Sequence, residues 1–246
     1  MGQTTTEGES NKDFQIIVAN ASHSHLAEQI CQAIEESAKQ RGTGIAKRSP
    51  DYIRSKIQEG KAIIALTQAQ ELAGFCYIET WEHGKFIAHS GLVVLPEYRK
   101  FGLATRIKKA AFELSIQKYP EAKIFGITTS LAVMKINTEL GYKPVTFSEL
   151  TTDDSFWDGC QSCVNYDVLT RTNRKMCLCT GMLYDPAWEK EKSREKEVVF
   201  ASKQADPPPL FVALKVKKPK HFLQQPIKKI KKLYQNIWGR RIGYGS

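Results

Sequence analysis

The chain has 246 residues, of which 41% are hydrophobic, so it can bury the core of one substantial domain. No apolar run approaches the ~20 residues of a membrane-spanning helix, and the polar first residues exclude a secretory signal, so we expect a cytoplasmic protein. The net charge of +10 lies in residues 215–246, which hold ten Lys and Arg and no Asp or Glu. The rest of the chain is neutral and gives no support to nucleic-acid binding by a folded domain.

Hydrophobic periodicity predicts an alternation of strands and helices after residues 1–12, which are expected to be disordered. Strands are predicted over residues 13–19, 61–67, 72–81, 86–95, 123–129, 142–147 and 176–183. Helices are predicted over residues 21–40 and 131–140, and from Pro50 and Leu103 onward. Short turns join the three strands between 61 and 95, which predicts an antiparallel meander.

The stretch from Gly91 to Lys118 carries the strongest functional signal. An apolar strand ends at Pro96, a basic glycine turn follows, and a helix begins after it. The first amides of a helix lack intrahelical partners and carry the positive end of its dipole, and Gly102 and Ala104 leave this backbone uncovered. The arrangement predicts a seat for a pyrophosphate group; the alternative is a glycine turn that opens an ordinary helix.

The motif Arg-x-x-Gly-x-Ala at 99–104, preceded by Val93-Val94 and Pro96, resembles the acyl-CoA-binding motif of the GNAT superfamily of N-acyltransferases. The predicted order of elements over residues 13–150 is similar to that of the same superfamily. The resemblance implies an α/β (α+β) GNAT fold with a mixed sheet of six or seven strands. Its fourth and fifth strands would splay apart, and helices would cover both faces.

The same resemblance implies that acetyl-CoA, or succinyl-CoA as an alternative donor, enters the gap between the splayed strands. The pantetheine arm would pair with the backbone of the fourth strand, like an added strand. The residues expected to bind the cofactor are Leu92, Val93, Val94, Arg99, Lys100, Gly102, Leu103, Ala104, Thr105 and Asn137. Asn137 stands where many members have the tyrosine that protonates the thiolate, so that acid is missing here.

Three further stretches, at 44–49, 124–130 and 139–145, resemble the acetyltransferase domain of bacterial N-acetylglutamate synthase. The resemblance implies acetyl transfer to the α-amino group of glutamate or a related amino acid, as in arginine biosynthesis. The residues expected to hold the acceptor are Lys47, Arg48, Thr128, Thr129 and Ser130. An arginine is the natural partner of a carboxylate, and the alternative is a solvated Lys-Arg pair before a helix cap. The family usually has a further arginine after the Thr-Thr pair, where Ser130 and Leu131 stand here.

A base must take a proton from the acceptor amine before that amine attacks a thioester. His89 lies two residues before Gly91 in the predicted cofactor strand, and the ordinary pKa of histidine suits this task. The alternative for His89 is a hydrogen-bonded core histidine. Glu79 or Glu82 acting through water is the second choice.

Four of the six cysteines fall in a Cys-rich element at 151–185, within a domain expected to span residues 13–200. The pairs Cys160–Cys163 and Cys177–Cys179 suit a tetrahedral Zn²⁺ site of structural character. The predicted last strand would place the second pair on one face. Unlinked buried thiols or a redox pair are the alternatives.

Residues 201–246 form a basic C-terminal tail, in which lysines and apolar residues recur at helical spacing over 226–238. Such a helix suits an acidic protein surface, anionic lipid or nucleic acid, and a disordered or self-docked tail is the alternative. The expected partner of the folded domain is a small amino-acid substrate, and the sequence allows a homo-oligomer. The competing readings are a GNAT enzyme acting on another amine and a non-catalytic CoA-binding module that recruits partners.

Overall fold

Seven strands form one mixed sheet in a computed structural model that describes residues 13–41, 47–191 and 194. The strands are β1 (Gln15–Val18), β2 (Ala62–Leu66), β3 (Leu72–Trp81), β4 (Phe86–Val94), β5 (Lys123–Thr128), β6 (Lys143–Val145) and β7 (Thr180–Tyr184). Their order across the sheet is β1-β2-β3-β4-β5-β7-β6. Neighbouring strands are antiparallel except β4 and β5, which are parallel.

Helices connect the strands and begin where local sequence favours them. They are α1 (Ala27–Arg41), α2 (Pro50–Gln58), α3 (Leu103–Lys118), α4 (Leu131–Glu139), α5 (Asp154–Asp158) and α6 (Tyr166–Arg171). The hydroxyl of Ser49 accepts a hydrogen bond from the Tyr52 amide and caps α2, whose first residue is Pro50. Within the described part of the chain, no helix is both long and apolar enough to cross a membrane.

The two faces of the sheet are covered by different helices. α3 packs on one face, where Ile107 is fully buried in a cluster with Ile87 of β4. α1 and α2 pack on the other face, where Ile30 and Ile53 meet Ile64 of β2. Because successive side chains of a strand point to opposite faces, β4 sends alternate residues toward α3 and toward α1 and α2.

The segment after β6 covers the second face farther along the sheet. Trp157 of α5 and Leu169 of α6 pack in a cluster with Phe86 of β4 and Phe125 of β5. The indole nitrogen of Trp157 donates a 2.8 Å hydrogen bond to the carbonyl of Thr151, which fixes the start of the segment. The Cys-rich element therefore packs through its apolar and aromatic residues against the β4–β5 pair.

The structure confirms the mixed α/β sheet with helices on both faces and shifts most predicted bounds by only one or two residues. Residues 21–26 form a 3-10 helix rather than the first turns of α1, because Asn20 and His23 close a capping box around them. The last strand was predicted to begin at residue 176, but β7 begins at Thr180, which pairs with the last residue of β5, Thr128. The predictions for residues 1–12 and 201–246 lie outside the described residues.

Candidate functional site

The sheet opens between β4 and β5, as predicted for the fourth and fifth strands. The two strands pair only from Phe86 to Ala88, and beyond Ala88 that edge of β4 has no strand partner among the described residues. Residues 89–92 of β4 and 126–128 of β5 line the resulting cleft. An added Cβ at Gly126 would lie 3.4 Å from the carbonyl oxygen of His89, so the small residue stands where the strands part. The cleft therefore exposes backbone groups of β4 to a ligand.

The start of α3 is open, as the glycine turn predicts. Gly102 is its N-cap with a φ of 68°, a left-handed conformation that favours glycine, and no side chain caps the helix. An added Cβ at Gly102 would meet no atom of residues 13–41, 47–191 and 194 within 4 Å. The side chain of Leu103 is buried in the core, so that residue offers only its amide. The first amides of α3 are consequently free to hold an anion.

Arg99, also predicted to bind the cofactor, lies beside the upper part of β4. Its guanidinium donates to the carbonyl of Val94 at 3.3 Å and to the side-chain oxygen of Gln40 at 3.3 and 3.4 Å. Val93 and Val94 line a second groove with Arg99 and α1, and the Val93 side chain is core. The predicted backbone contacts thus fall in two places: Leu92 in the cleft, and the two valines in the neighbouring groove.

One polar cluster, which we call the Glu79 cluster, faces the cleft from the side of α1 and α2. Buried Glu79 accepts hydrogen bonds from the hydroxyls of Tyr52 and Ser90, the latter at 2.5 Å, and its carboxylate lies 3.7 Å from a guanidinium nitrogen of Arg48. The Nε of Arg48 donates to the Tyr77 hydroxyl at 2.8 Å. Burial and then the charge of Glu79 raise the pKa of both tyrosines, so their hydroxyls stay protonated.

A second polar cluster, which we call the Lys108 cluster, faces the cleft from the side of α3. His89 is hydrogen-bonded through Nε2 to the Ser115 hydroxyl at 2.9 Å, and its Nδ1 lies 3.0 Å from Lys108 Nζ and 3.2 Å from the Tyr142 hydroxyl. Two donors converge on Nδ1, which assigns the ring proton to Nε2. Burial, followed by the charge of Lys108, holds the pKa of His89 well below its usual range, so the ring is neutral.

These contacts separate the three predicted base candidates. Both ring nitrogens of His89 are engaged by protein groups, which leaves no lone pair for an acceptor amine and corresponds to the core-histidine alternative. Glu82 accepts from the Thr151 hydroxyl and the Thr152 amide, both at 2.8 Å, and anchors the segment after β6 away from the cleft. Glu79 reaches the cleft through Ser90, which itself lines it, and is the candidate that the geometry favours.

Of the five residues predicted to bind the acceptor, four line the cleft and Lys47 does not. Arg48, Thr128, Thr129 and Ser130 all line the cleft. The Ser130 hydroxyl accepts from the Val133 amide at 3.4 Å and caps α4. Lys47 is exposed, and its amide donates to the Ser162 hydroxyl while its carbonyl accepts from Arg48. Lys47 therefore supports Arg48 and is not among the residues that line the cleft.

Asn137 lies where the sequence predicts a cofactor contact. It is 1% exposed and lines the cleft from α4. Its side-chain oxygen is buried, and no group among the described residues lies within hydrogen-bond distance of it. A buried acceptor of this kind is costly unless a partner arrives, so a ligand that donates an N–H or O–H group fits this position.

The four cysteines lie near one another but do not form the predicted zinc site. Among residues 13–41, 47–191 and 194, no group of three or more His, Cys, Asp or Glu is arranged to hold a metal ion. Burial, and then the neighbouring thiols, raise the pKa of Cys160 to about 11 and that of Cys179 to about 12, so these free thiols are protonated at neutral pH. Cys177 and Cys179 precede β7 instead of sharing a strand face, and Cys163 accepts from the Asn165 amide at 3.4 Å. The zinc prediction is not supported.

Six residues of the two clusters were not predicted from the sequence: Tyr52, Tyr77, Ser90, Lys108, Ser115 and Tyr142. Tyr77 and Ser90 pair across β3 and β4, and the strand alternation alone places Ser90 on the side of Glu79. Lys108 occupies the buried face of α3, between Leu103 and Ala111. A lysine on the apolar stripe of an amphipathic helix was therefore the available signal for the second cluster.

Comparisons with known proteins agree with this geometry. A sequence model of the acetyltransferase (GNAT) family matches residues 31–132. The structure is similar to N-acetylglutamate synthase from Neisseria gonorrhoeae in complex with coenzyme A and N-acetyl-glutamate, with 17% identity and a TM-score of 0.52 over 70% of this chain. It is also similar to Rv2747 from Mycobacterium tuberculosis in complex with CoA, with 13% identity and a TM-score of 0.50.

The extent of these matches differs. This chain covers 35% of the length of the synthase and 98% of the length of Rv2747, in the latter case with 70% of its own residues. No curated protein sequence matches it. At these identities the likeness shows a shared fold, and the family match includes residues 89–92 of β4, 126–128 of β5 and the start of α3. The chain is therefore similar to the GNAT acetyltransferase family over residues 31–132, and it shares the fold of these solved structures.

Proposed function

We propose that the protein transfers the acetyl group of acetyl-CoA to the α-amino group of glutamate or a related amino acid. The observation that carries the proposal is the split between β4 and β5, which has a guanidinium, Arg48, on one side and an unpartnered amide oxygen, that of Asn137, on its wall. The first fits an amino-acid carboxylate, and the second fits an N–H group of a pantetheine arm.

The donor is held along α3 and β4 in this proposal. The amides of Leu103, Ala104 and Thr105 hold the diphosphate at the open start of α3, with Arg99 and Lys100 as neighbouring cations. The pantetheine arm runs along the free edge of β4, where Leu92 lies in the cleft. Its thioester then lies where β4 and β5 part, and amides of β4 stabilise the oxyanion of the reaction.

The acceptor enters from the opposite side of the sheet. Arg48 is fixed by Tyr77, by the carbonyl of Lys47 and by Glu79, so its guanidinium is oriented before a carboxylate arrives. Thr128, Thr129 and Ser130 supply hydroxyl and amide groups at the start of α4 for the far end of the substrate. The synthase from Neisseria gonorrhoeae, which was solved with N-acetyl-glutamate, supports the choice of acceptor.

The reaction needs a neutral amine. The amine loses a proton to Glu79, relayed by the Ser90 hydroxyl that lies 2.5 Å from the carboxylate, and its nitrogen attacks the thioester carbon. The new carbon–nitrogen bond forms as the carbon–sulfur bond breaks, and the nitrogen gives its second proton to water. The sulfur takes up a proton, so the coenzyme leaves as a thiol. Arg48 and Glu79 therefore act together, one on the carboxylate and the other on the amine of the same amino acid.

Thiol release from acetyl-CoA, measured across a panel of amino acids, polyamines and a lysine-containing peptide, tests the proposal. We expect the highest kcat/KM with glutamate or a close relative, and a loss of at least about tenfold when its α-carboxylate is esterified, because one charged contact is removed. Release with polyamines but with no amino acid would contradict the proposal. Binding of CoA without release for any amine would indicate a CoA-binding module instead.

A further inference from the structure

Lys108 is a buried cation without a nearby carboxylate. It is 2% exposed, and the groups that face it are His89 from β4, Cys76 from β3 and the ring of Tyr142, 5.4 Å away. No carboxylate among the described residues lies within salt-bridge distance of its ammonium. A buried ammonium with no counter-charge destabilises the folded state, so we infer that Lys108 has a functional role.

The contacts of Lys108 leave part of its ammonium for a ligand. An ammonium has three N–H donors, and one of them is directed at Nδ1 of His89, 3.0 Å away. Lys108 lines the cleft together with Leu92 and Asn137. His89 is held by Ser115 and Tyr142 and is a positioning residue, because it orients the lysine and offers no free nitrogen itself.

The face of the sheet on which Lys108 lies determines which part of the reacting molecules it can contact. Ser90 of β4 points toward the Glu79 cluster and the preceding residue, His89, points toward Lys108. The acceptor amine in the proposed function approaches from the first side, so the sulfur that departs lies on the second side. Asn137, which lines the cleft from α4, has no acidic proton to give to this sulfur.

We propose that Lys108 is the general acid of the acetyl transfer, giving a proton from Nζ to the coenzyme A sulfur as the carbon–sulfur bond breaks. The inference rests on the proposed function. The electron pair of the broken bond stays on sulfur and takes up this proton, and the attacking nitrogen releases its second proton to water. The products are an amide, a thiol, neutral Lys108 and a hydronium ion. Glu79 holds the proton of the amine, and exchange with solvent restores both residues.

The acid strength of Lys108 matches this role. Burial lowers the pKa of Lys108 to about 8, close to the value of about 8.5 that is usual for a thiol. A proton passes readily between groups of matched pKa, and the ammonium form is still present at neutral pH. An unburied lysine would hold its proton too firmly to transfer it to a thiolate.

The test compares Lys108→Met with Lys109→Met, its exposed neighbour on α3, whose charged group lies 3.9 Å from Glu113. We expect kcat of Lys108→Met to fall by about 10²-fold or more at pH 7, whereas Lys109→Met retains the wild-type kcat. The kcat of the wild type should decline as pH rises through about 8, where Lys108 loses its proton. That decline should be missing in Lys108→Met, a change that a merely structural role would not produce.

A second measurement does not depend on turnover. The ultraviolet absorbance of the CoA thiolate reports the thiol pKa of bound coenzyme, and we expect the wild type to lower it by about one unit or more relative to free CoA. Lys108→Met should abolish this shift; if that variant does not fold, the wild-type shift alone decides.

The outcomes separate the two proposals. An unshifted thiol pKa in the wild type, or a Lys108→Met variant that keeps the wild-type kcat and its alkaline decline, would overturn the role of Lys108 alone. A wild type that turns over acetyl-CoA and shows both effects supports it. A wild type that binds no CoA would overturn both the acid and the proposed function.

Discussion

The two polar clusters beside β4 differ in how their charges are balanced. In the Glu79 cluster the carboxylate lies 3.7 Å from Arg48 and accepts bonds from two hydroxyls, so a cation and an anion are buried together. In the Lys108 cluster the ammonium meets a neutral imidazole, a thiol and a phenol, and no carboxylate among the described residues compensates it. His89 and Ser90 are adjacent in β4 and point to opposite faces of the sheet. His89 contacts Lys108, and Ser90 donates to Glu79.

This difference indicates that the two clusters have different roles in the proposed reaction. A balanced pair can orient a zwitterionic acceptor, which brings its own amine and carboxylate to meet Glu79 and Arg48. An uncompensated cation stabilises an anion that exists only transiently, such as a departing thiolate. The following changes perturb the start of α3 first and then the clusters, in order of decreasing expected effect.

Replacement of Gly102 by valine should affect CoA binding most. A Cβ at this position meets no atom within 4 Å in the part of the chain that the structure describes. The side chain would therefore project into the space over the first amides of α3, where the diphosphate is proposed to lie. We expect the Kd for CoA, measured by calorimetry, to rise by about 10²-fold or more, a loss of about 3 kcal/mol.

Gly60→Val is the matched control for backbone strain. Gly60 has a φ of 61°, close to the 68° of Gly102, and an added Cβ there approaches only Lys118 Nζ, at 3.8 Å. Both variants therefore carry a similar left-handed strain, but only one lies at the helix start. Equal loss of CoA affinity in the two would contradict the diphosphate site.

Glu79→Gln should have the next largest effect. The amide retains the size of the side chain but cannot accept the proton of the amine, so we expect kcat to fall by up to about 10²-fold with little change in the Kd for CoA. Glu113→Gln, at an exposed position of α3, serves as the control in the same assay. If Glu79→Gln retained more than half of the wild-type kcat, Glu79 would not be the base.

Arg48→Lys should change the acceptor side alone. A lysine cannot reproduce the fork that donates to Tyr77 and the carbonyl of Lys47, so we expect the KM for the amino acid to rise by about tenfold with CoA affinity unchanged. Arg54→Lys, on the surface of α2 beside Asp51 and Glu28, is the control. The reverse pattern, weaker CoA binding with an unchanged amino-acid KM, would remove Arg48 from the acceptor site.

The pH dependence of stability is a separate prediction, because it concerns the free energy of unfolding and not binding or turnover. Lys108 has a pKa of about 8 in the fold, whereas the ordinary value is 10.5, so between these values the unfolded chain binds more protons than the native one. The wild type should gain stability relative to Lys108→Met as pH rises through this window, by up to about 3 kcal/mol. Urea unfolding of both proteins from pH 7 to 10.5 measures it, and parallel curves would show that Lys108 is not buried as a cation.

The sequence predicted the elements whose signals are local. The strand before Pro96, the turn at Gly102 and the helix from Leu103 follow from periodicity and from two residues with restricted or exceptional backbones. The opening of the sheet was also predicted, but from resemblance to a family rather than from any residue between Phe86 and Val94. The sheet opens because the pairing of β4 with β5 stops at Ala88, and no local sequence pattern predicts where that pairing stops.

The sequence did not predict the polar clusters, because they join residues that are far apart in the chain. Lys108 and His89 are 19 positions apart, and Arg48 and Tyr77 are 29 apart. His89 was singled out for its ordinary pKa, yet burial and its neighbours determine its actual behaviour. The zinc prediction is not supported by the described residues, and cysteine spacing alone does not tell whether four thiols converge with the right geometry.

The structure of the full chain in complex with CoA tests the central claim most directly. We predict electron density for the diphosphate at the amides of Leu103–Thr105 and for the sulfur in the cleft between residues 89–92 of β4 and 126–128 of β5, on the side of Lys108. Coenzyme bound at any other surface, or a sulfur placed on the side of Glu79 and Arg48, would contradict the account.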